Sequence, residues 1–238
     1  MFNTLKGFIL KVGRWEFILF TRYNLSYIRN LSSHSIEVFL IIFILILSMS
    51  CTNSEFKTVE DYFNYLNVTD FINQTIEKDE LEVTISYRPI DYIILKALRN
   101  KPLERNSIDS LIEKYSNYSY FVLSISDRNK EFLDQNLEGY ETFSKRLNLL
   151  AFNFNDVIKI STDKKMEIEI QSFQLLRTFG ISNRTEVIFC ISNLDKIDTK
   201  YIEVNLKNLD ERLDGQSIKF SLNKLITIKK YSKIYDSI

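Results

Sequence analysis

Few residues of this chain have the type and spacing to do chemistry. Glu167 and Glu169 stand two apart in K-M-E-I-E-I-Q, which puts both carboxylates on one face of a strand, with Gln171 continuing the row. Paired carboxylates are the acid/base equipment of glycosidases, yet alternate charges on a strand are ordinarily its solvated face, and that is the reading taken here. Asp195, Asp198, Asp210, Glu211 and Asp214 bring calcium to mind. Their spacing departs from the D-x-D-x-D-G loop with its terminal Glu, so they read as loop solvation. Tyr87, Tyr92, Tyr115, Tyr118, Tyr120 and Tyr140 offer flat rings with polar tips, which suits a carbohydrate or peptide platform. Core packing and the composition of an AT-rich genome explain them more simply. Arg88 before Pro89 and Arg177 before T-F-G matter only where they are buried and paired.

The residue with the most specific surroundings is Cys51. It ends the stretch I-E-V-F-L-I-I-F-I-L-I-L-S-M-S-C, in which the ten residues Val38 to Leu47 are all apolar. A helix needs roughly 20 apolar residues to span a bilayer, whereas the apolar centre of a secretory signal runs about 7–15 and ends in small residues. Ser48 and Ser50 supply the small residues, and the chain turns polar at T-N-S-E directly afterwards. The block L-S-M-S-C resembles a bacterial lipoprotein signal, in which the cysteine becomes the first mature residue and carries acyl groups. It departs from the strict pattern in having Ser48 where a leucine is usual. The expected division is a basic leader over 1–35, an apolar signal over 36–50, a tether over 51–57 and one domain over 58–232. In the leader, Lys6, Lys11, Arg14, Arg22 and Arg29 against Glu16 suit the cytoplasmic flank of an inserting segment. Phe8, Ile9, Leu10, Trp15, Phe17, Ile18 and Phe20 allow an interfacial basic helix there. A translation start further downstream accounts for the stretch more simply.

Export would remove the only histidine, His34, and the only tryptophan, Trp15. What remains cannot build a Ser-His-Asp or Cys-His site, or a zinc site containing histidine. Gly139, Gly180 and Gly215 stand far apart, so there is no glycine-rich phosphate loop. No catalytic residue, metal site or cofactor is expected, and the chain reads as a non-enzyme. Residues 51–238 carry 26 basic and 29 acidic side chains, a near-neutral balance without a basic cluster, which argues against nucleic acid. Cys190 lies in the apolar run V-I-F-C-I and reads as a small buried hydrophobe, with a Cys51–Cys190 disulfide as the alternative.

The elements that position these residues follow from periodicity. Thr58 caps a helix through V-E-D-Y-F-N-Y-L-N, and 68–79 reads as loop-like or weakly extended. Leu81 to Tyr87 alternates as a half-buried strand. Helices follow over Ile90 to Arg99 and Ser107 to Tyr115, the second capped by Asn106 or Ser107. Tyr120 to Ser126 is a strand, and Glu138 to Phe152 the longest helix. Strands are expected at Met166 to Ile170, at Glu186 to Ile191, which is apolar on both faces and so central, at Tyr201 to Leu206, and at Ile218 to Leu222 beyond the Asp214-Gly215 turn. The sum is α+β: a mainly antiparallel sheet of about five to six strands, with three to four helices concentrated in the first half.

The pieces D-Y-F-N-Y-L-N, L-E-V-T-I-S-Y-R-P-I-D-Y-I-I-L-K-A-L, Y-F-V-L-S-I-S, L-L-A-F-N and L-L-R-T-F-G-I-S-N-R-T-E-V-I-F-C-I resemble, over most of residues 57–225, a group of Bacteroidota lipoproteins without an assigned activity. The triplets Asp109-Ser110-Leu111 and Asp236-Ser237-Ile238 resemble the O-glycan acceptor pattern of those bacteria. The resemblance implies a location, a cell-envelope membrane with the outer preferred to the inner, and no catalytic residues. The expected partners are the membrane, through lipid on Cys51, and an envelope protein or glycan. An inhibitor or immunity-type lipoprotein, a carboxylate-dependent hydrolase, and a single-pass inner-membrane protein with an exported domain are the alternatives.

Overall fold

The computed structural model describes residues 8–12, 15–19, 56–98, 101–128, 130–134, 139–177 and 181–236. The chain divides into two units, Met1–Ser54 and Glu55–Ile238. In the first, β1 (Phe8–Val12) and β2 (Trp15–Leu19) pair antiparallel, with Lys11 opposite Glu16. The interfacial helix that these residues allow is not what they form here. F-I-L-K-V and W-E-F-I-L are rich in β-branched and aromatic residues, which favour a paired extended chain over a helix. Cys51 and the apolar segment Ile36 to Ser50 lie outside the described residues.

The second unit is α+β, and all its strand pairs are antiparallel. It opens with α1 (Val59–Asn67), whose first turn closes as a capping box: Thr58 Oγ1 accepts from the Asp61 N–H, and the Asp61 carboxylate accepts from the Thr58 N–H. Then come β3 (Asn73–Lys78), β4 (Leu81–Arg88), α2 (Ile90–Leu98), α3 (Arg105–Tyr115), β5 (Tyr118–Asp127) and the two-residue β6 (Lys130–Glu131). After α4 (Tyr140–Phe152) the chain is mostly strand: β7 (Ile158–Thr162), β8 (Glu167–Ile168), β9 (Ile170–Leu176), β10 (Thr185–Ser192), β11 (Tyr201–Leu206) and β12 (Ser217–Ser221). Two short helices, α5 (Leu222–Leu225) and α6 (Ser232–Asp236), close it.

The strands form two sheets rather than the single one expected. One has six strands in the order β3-β4-β5-β10-β9, with β6 on the end of β5; the other has four, in the order β12-β11-β7-β8. Leu81, Val83 and Ile85 on β4, Phe121, Leu123 and Ile125 on β5, and Val187, Phe189 and Ile191 on β10 are buried. So are Ile158 and Ile160 on β7, Ile202, Val204 and Leu206 on β11, and Ile218 and Phe220 on β12. These faces meet: the Phe121 ring lies 5.4 Å from Phe189 in its own sheet and 5.6 Å from Phe220 in the other. Period-2 alternation gives each strand of the smaller sheet one apolar face for this core and one polar face for solvent.

Several boundaries differ from the sequence reading. Residues 68–79 contain β3, paired along its length with β4 through a turn in which Asp79 and Glu80 both have positive φ, 50° and 66°. Such turns favour glycine or asparagine, and here neither marks it. α3 starts at Arg105, and no side chain caps it. β7 and β9 are additional strands, and Leu222 begins α5 rather than extending β12. With α4 in the middle of the unit and α5 and α6 at its end, the helices are not concentrated in the first half. Ile234 on α6 is buried, so packing continues past residue 232.

One polar cluster ties the two sheets together. Arg212 sits in a 3-10 turn, Glu211–Leu213, between β11 and β12. Its guanidinium donates to Asp127 Oδ2 at the end of β5 (2.8 Å), to Asp210 Oδ1 (2.7 Å) and to the Asp79 carbonyl in the β3–β4 turn (3.0 Å). Asp127 is fully buried, and removing the cation from such a pair leaves an uncompensated charge in the interior. Arg212→Met is therefore expected to lower stability by about 3–5 kcal/mol, read as a shift of the urea midpoint. Lys164→Met, which removes an exposed partner of Asp198, should leave the midpoint in place.

Candidate functional site

A concave site with an aromatic wall lies on the face of the six-stranded sheet turned away from the core. Its residues come from three consecutive strands of that sheet and from the end of α3. On β5, Phe121 and its inward neighbours fill the core, so Tyr118 and Tyr120 project from the opposite face. Tyr120 stands opposite Cys190 on β10, and Cys190 stands opposite Ser172 on β9. Along this row the side chains fall from large to small, leaving a trough. Tyr115, the last residue of α3, and Lys114 beside it raise one wall, and Gln171 and Gln174 flank the other. The groove encloses about 420 Å³, within the range of small-ligand sites.

The aromatic wall is held from behind. The Tyr120 ring meets Tyr115 at 6.0 Å and 80°, and Tyr118 at 6.4 Å and 70°, the edge-to-face geometry that ring quadrupoles favour. The Tyr120 hydroxyl donates to the Tyr115 carbonyl at 3.4 Å. The chain between α3 and β5 is fixed by the turn after β10: Asn193 Nδ2 donates to the Ser116 carbonyl (2.8 Å), the Asn193 N–H to the Asn117 carbonyl (3.0 Å), and the Leu194 N–H to Ser119 Oγ (3.0 Å). Three acceptors are satisfied by one segment, so the tyrosines flank a pinned turn rather than a free loop.

The electrostatics of the groove are mild. Burial pushes the Tyr120 hydroxyl well above its ordinary value, so it remains a neutral donor and acceptor. Burial likewise raises the Cys190 thiol. Lys114 Nζ lies 5.0 Å over the Tyr115 ring, a cation–π contact at the rim. No carboxylate lines the groove. Two further grooves, of about 540 and 490 Å³, have ionic linings. The first follows the β3–β4 turn, where Glu80 pairs with Arg128 at 2.8 Å. The second abuts the Arg212 cluster through Asp210 and Arg146.

Of the six tyrosines singled out in the sequence, the fold brings three together, Tyr115, Tyr118 and Tyr120. Tyr87 points into the core against Phe121, where burial pushes its hydroxyl up to about 12. Tyr92 packs on Phe63 beneath the Arg88 guanidinium, and Tyr140 is exposed beside Phe143 on α4. Glu167 and Glu169 are exposed, and Glu167 pairs with Lys159 at 3.0 Å. Gln171, which continues their row in sequence, belongs to the other sheet, because the chain crosses over between β8 and β9. Asp198 pairs with Lys164 and Asp210 with Arg212. Asp210 is thus part of a buried tie rather than loop solvation. Among the described residues no group of three or more His, Cys, Asp or Glu is placed to hold a metal ion. Arg88 is partly buried, with Asn73 Oδ1 at 3.4 Å. Arg177 lies 5.6 Å over the Phe143 ring. Ser172, Gln174 and Cys190 were not legible as site residues, since only the pairing of β9 with β10 brings them beside the tyrosines.

No family model, curated protein or solved structure matches the chain. Among the described residues no helix is long and apolar enough to cross a membrane.

The thiol in the floor gives the groove a chemical signature. Because burial raises its pKa, Cys190 is expected to react with iodoacetamide more slowly than a free cysteine at about pH 7.5, with a rate still climbing above about pH 9. Mass spectrometry of the Cys190 peptide checks this. A fast, pH-independent reaction at neutral pH would mean an activated thiolate instead.

Proposed function

We propose that this protein is a membrane-anchored binding module of a bacterial cell envelope, exported by the Ile36 to Ser50 segment, held by acyl groups on Cys51, and acting through the tyrosine groove. The observation that carries the binding role is the groove itself. Three rings stand on either side of a pinned turn, over a floor that includes Cys190, Ser172 and Ile188, and no acid/base pair faces them. A site of rings, amides and hydroxyls recognises surfaces and hydrogen-bonding edges, whereas acid/base chemistry requires titratable groups with pKa values matched to the task.

The anchor rests on the sequence. Ten apolar residues are short for a span, the small residues before Cys51 suit processing, and the polar chain that follows gives the domain a short lead. A single acyl chain binds membranes only marginally and stable attachment takes more than one, so multiple acylation at Cys51 keeps the domain at a surface. The outer membrane is preferred to the inner, and the partners envisaged are an envelope protein or glycan.

Intact mass of the detergent-extracted protein tests the anchor. The expected mass is that of residues 51–238 plus acyl groups for the native chain, with both processing and acylation lost in Cys51→Ala. Retention of residues 1–50 by the native chain would make the apolar segment a permanent anchor and return His34 and Trp15 to the mature chain.

A further inference from the structure

We infer that the tyrosine groove takes a neutral oligosaccharide, an inference that rests on the reading of this groove as the ligand site. Sugar rings present flat faces of C–H bonds bordered by hydroxyls that both donate and accept. The groove offers the complementary set. Tyr115 and Tyr118 each meet Tyr120 edge to face, at 80° and 70°, so the three provide ring faces in different orientations. The amides of Gln171 and Gln174 and the hydroxyl of Ser172 supply donors and acceptors on the facing strand. Gln171, Ser172 and Gln174 are exposed, so their hydrogen-bonding capacity is turned outward.

Charge narrows the choice. With no carboxylate in the lining, a cationic ligand has no counter-charge and meets Lys114. An anionic ligand finds only that one cation, already lying over the Tyr115 ring. A neutral polar ligand fits both facts. Direction disfavours the other neutral candidate, an extended peptide added to the edge strand β9. Such a strand runs parallel to β9 and needs pockets for alternate side chains. The floor row Tyr120, Cys190, Ser172 instead crosses the strands, and Ser172 and Gln174, the β9 residues opposite Cys190 and Ile188, are polar.

Saturation-transfer NMR on the full chain, in a detergent without a sugar head group, tests the inference. The probes are maltotetraose, cellotetraose, tetra-N-acetylchitotetraose and an octapeptide of alternating valine and threonine. The expected result is transfer to the C–H protons of at least one tetrasaccharide. Tyr118→Ala should weaken it by about tenfold or more, as for a buried aromatic contact, and Tyr118→Phe should retain it. Tyr118 is 39% exposed, so the alanine variant removes little core, and Gln174→Ala provides a second, surface variant with loss in the same direction. Preference for the N-acetylated probe would point to cell-wall glycan as the source, and preference for the others to soluble polysaccharide. Transfer only to the octapeptide, lost in Tyr118→Ala, would overturn the sugar inference and leave the groove as the ligand site. No transfer from any probe, or sugar transfer unchanged in both variants, would overturn the two together.

Discussion

The buried pair of Arg212 and Asp127 is the interaction on which the rest of the second unit depends. Asp127 ends β5, a central strand of the larger sheet, and Arg212 comes from the connection between β11 and β12 of the smaller one. A carboxylate with no solvent exposure needs a cation with fixed geometry. The guanidinium supplies it while also holding Asp210 and the Asp79 carbonyl. The far end of β5 is fixed differently, by Asn193 and Leu194 from the turn after β10. A strand held at both ends presents Tyr118 and Tyr120 at a fixed height above the sheet, and such positioning is what a preorganised binding face requires.

A second buried carboxylate closes the structure at the chain terminus. Asp91 on α2 accepts from the Tyr231 N–H at 2.7 Å and from the Tyr235 hydroxyl, securing α6. The two acidic sites titrate in opposite senses. Hydrogen bonding to Arg212 holds Asp210 below the usual carboxylate range. Its contribution is therefore complete above the unfolded pKa and disappears as pH falls through the lower folded value. Burial raises Asp91 despite its hydrogen bonds. Its contribution is present below the unfolded pKa and is lost as pH rises through the higher folded value. The sheet tie thus favours neutral pH, and the terminal latch favours mild acid.

Elements with strong local signals were legible in the sequence. Thr58 with Asp61 marks α1, and the runs around Val83, Leu123, Phe189 and Val204 announce strands through their alternation or continuous apolarity. What was hidden depended on partners far away in the chain. β3 has the polar sequence N-Q-T-I-E-K and is a strand because β4 pairs with it. β9 runs on past the strand expected at Met166 to Ile170 and carries Ser172 and Gln174 on one face, without an apolar alternation to mark it until β10 lies beside it. Asp127 and Arg212 stand 85 residues apart, so no local pattern announces their pairing. The same holds for the groove. The tyrosines were visible as residue types, but the selection of Tyr115, Tyr118 and Tyr120 from six is made by sheet register and by the turn that follows α3.

On the proposed reading, a scaffold of two sheets presents one aromatic face from a membrane surface. The most direct measurement is tyrosine iodination of the protein in its native envelope and again after purification in detergent, read by peptide mass spectrometry. Tyr140, 82% exposed and outside the groove, serves as the internal reference. The account predicts that Tyr118 is shielded relative to Tyr140 in the envelope and becomes reactive on purification, as its ligand is lost. Equal relative labelling of Tyr118 in both preparations would contradict it, because the groove would then be empty where the protein is supposed to act.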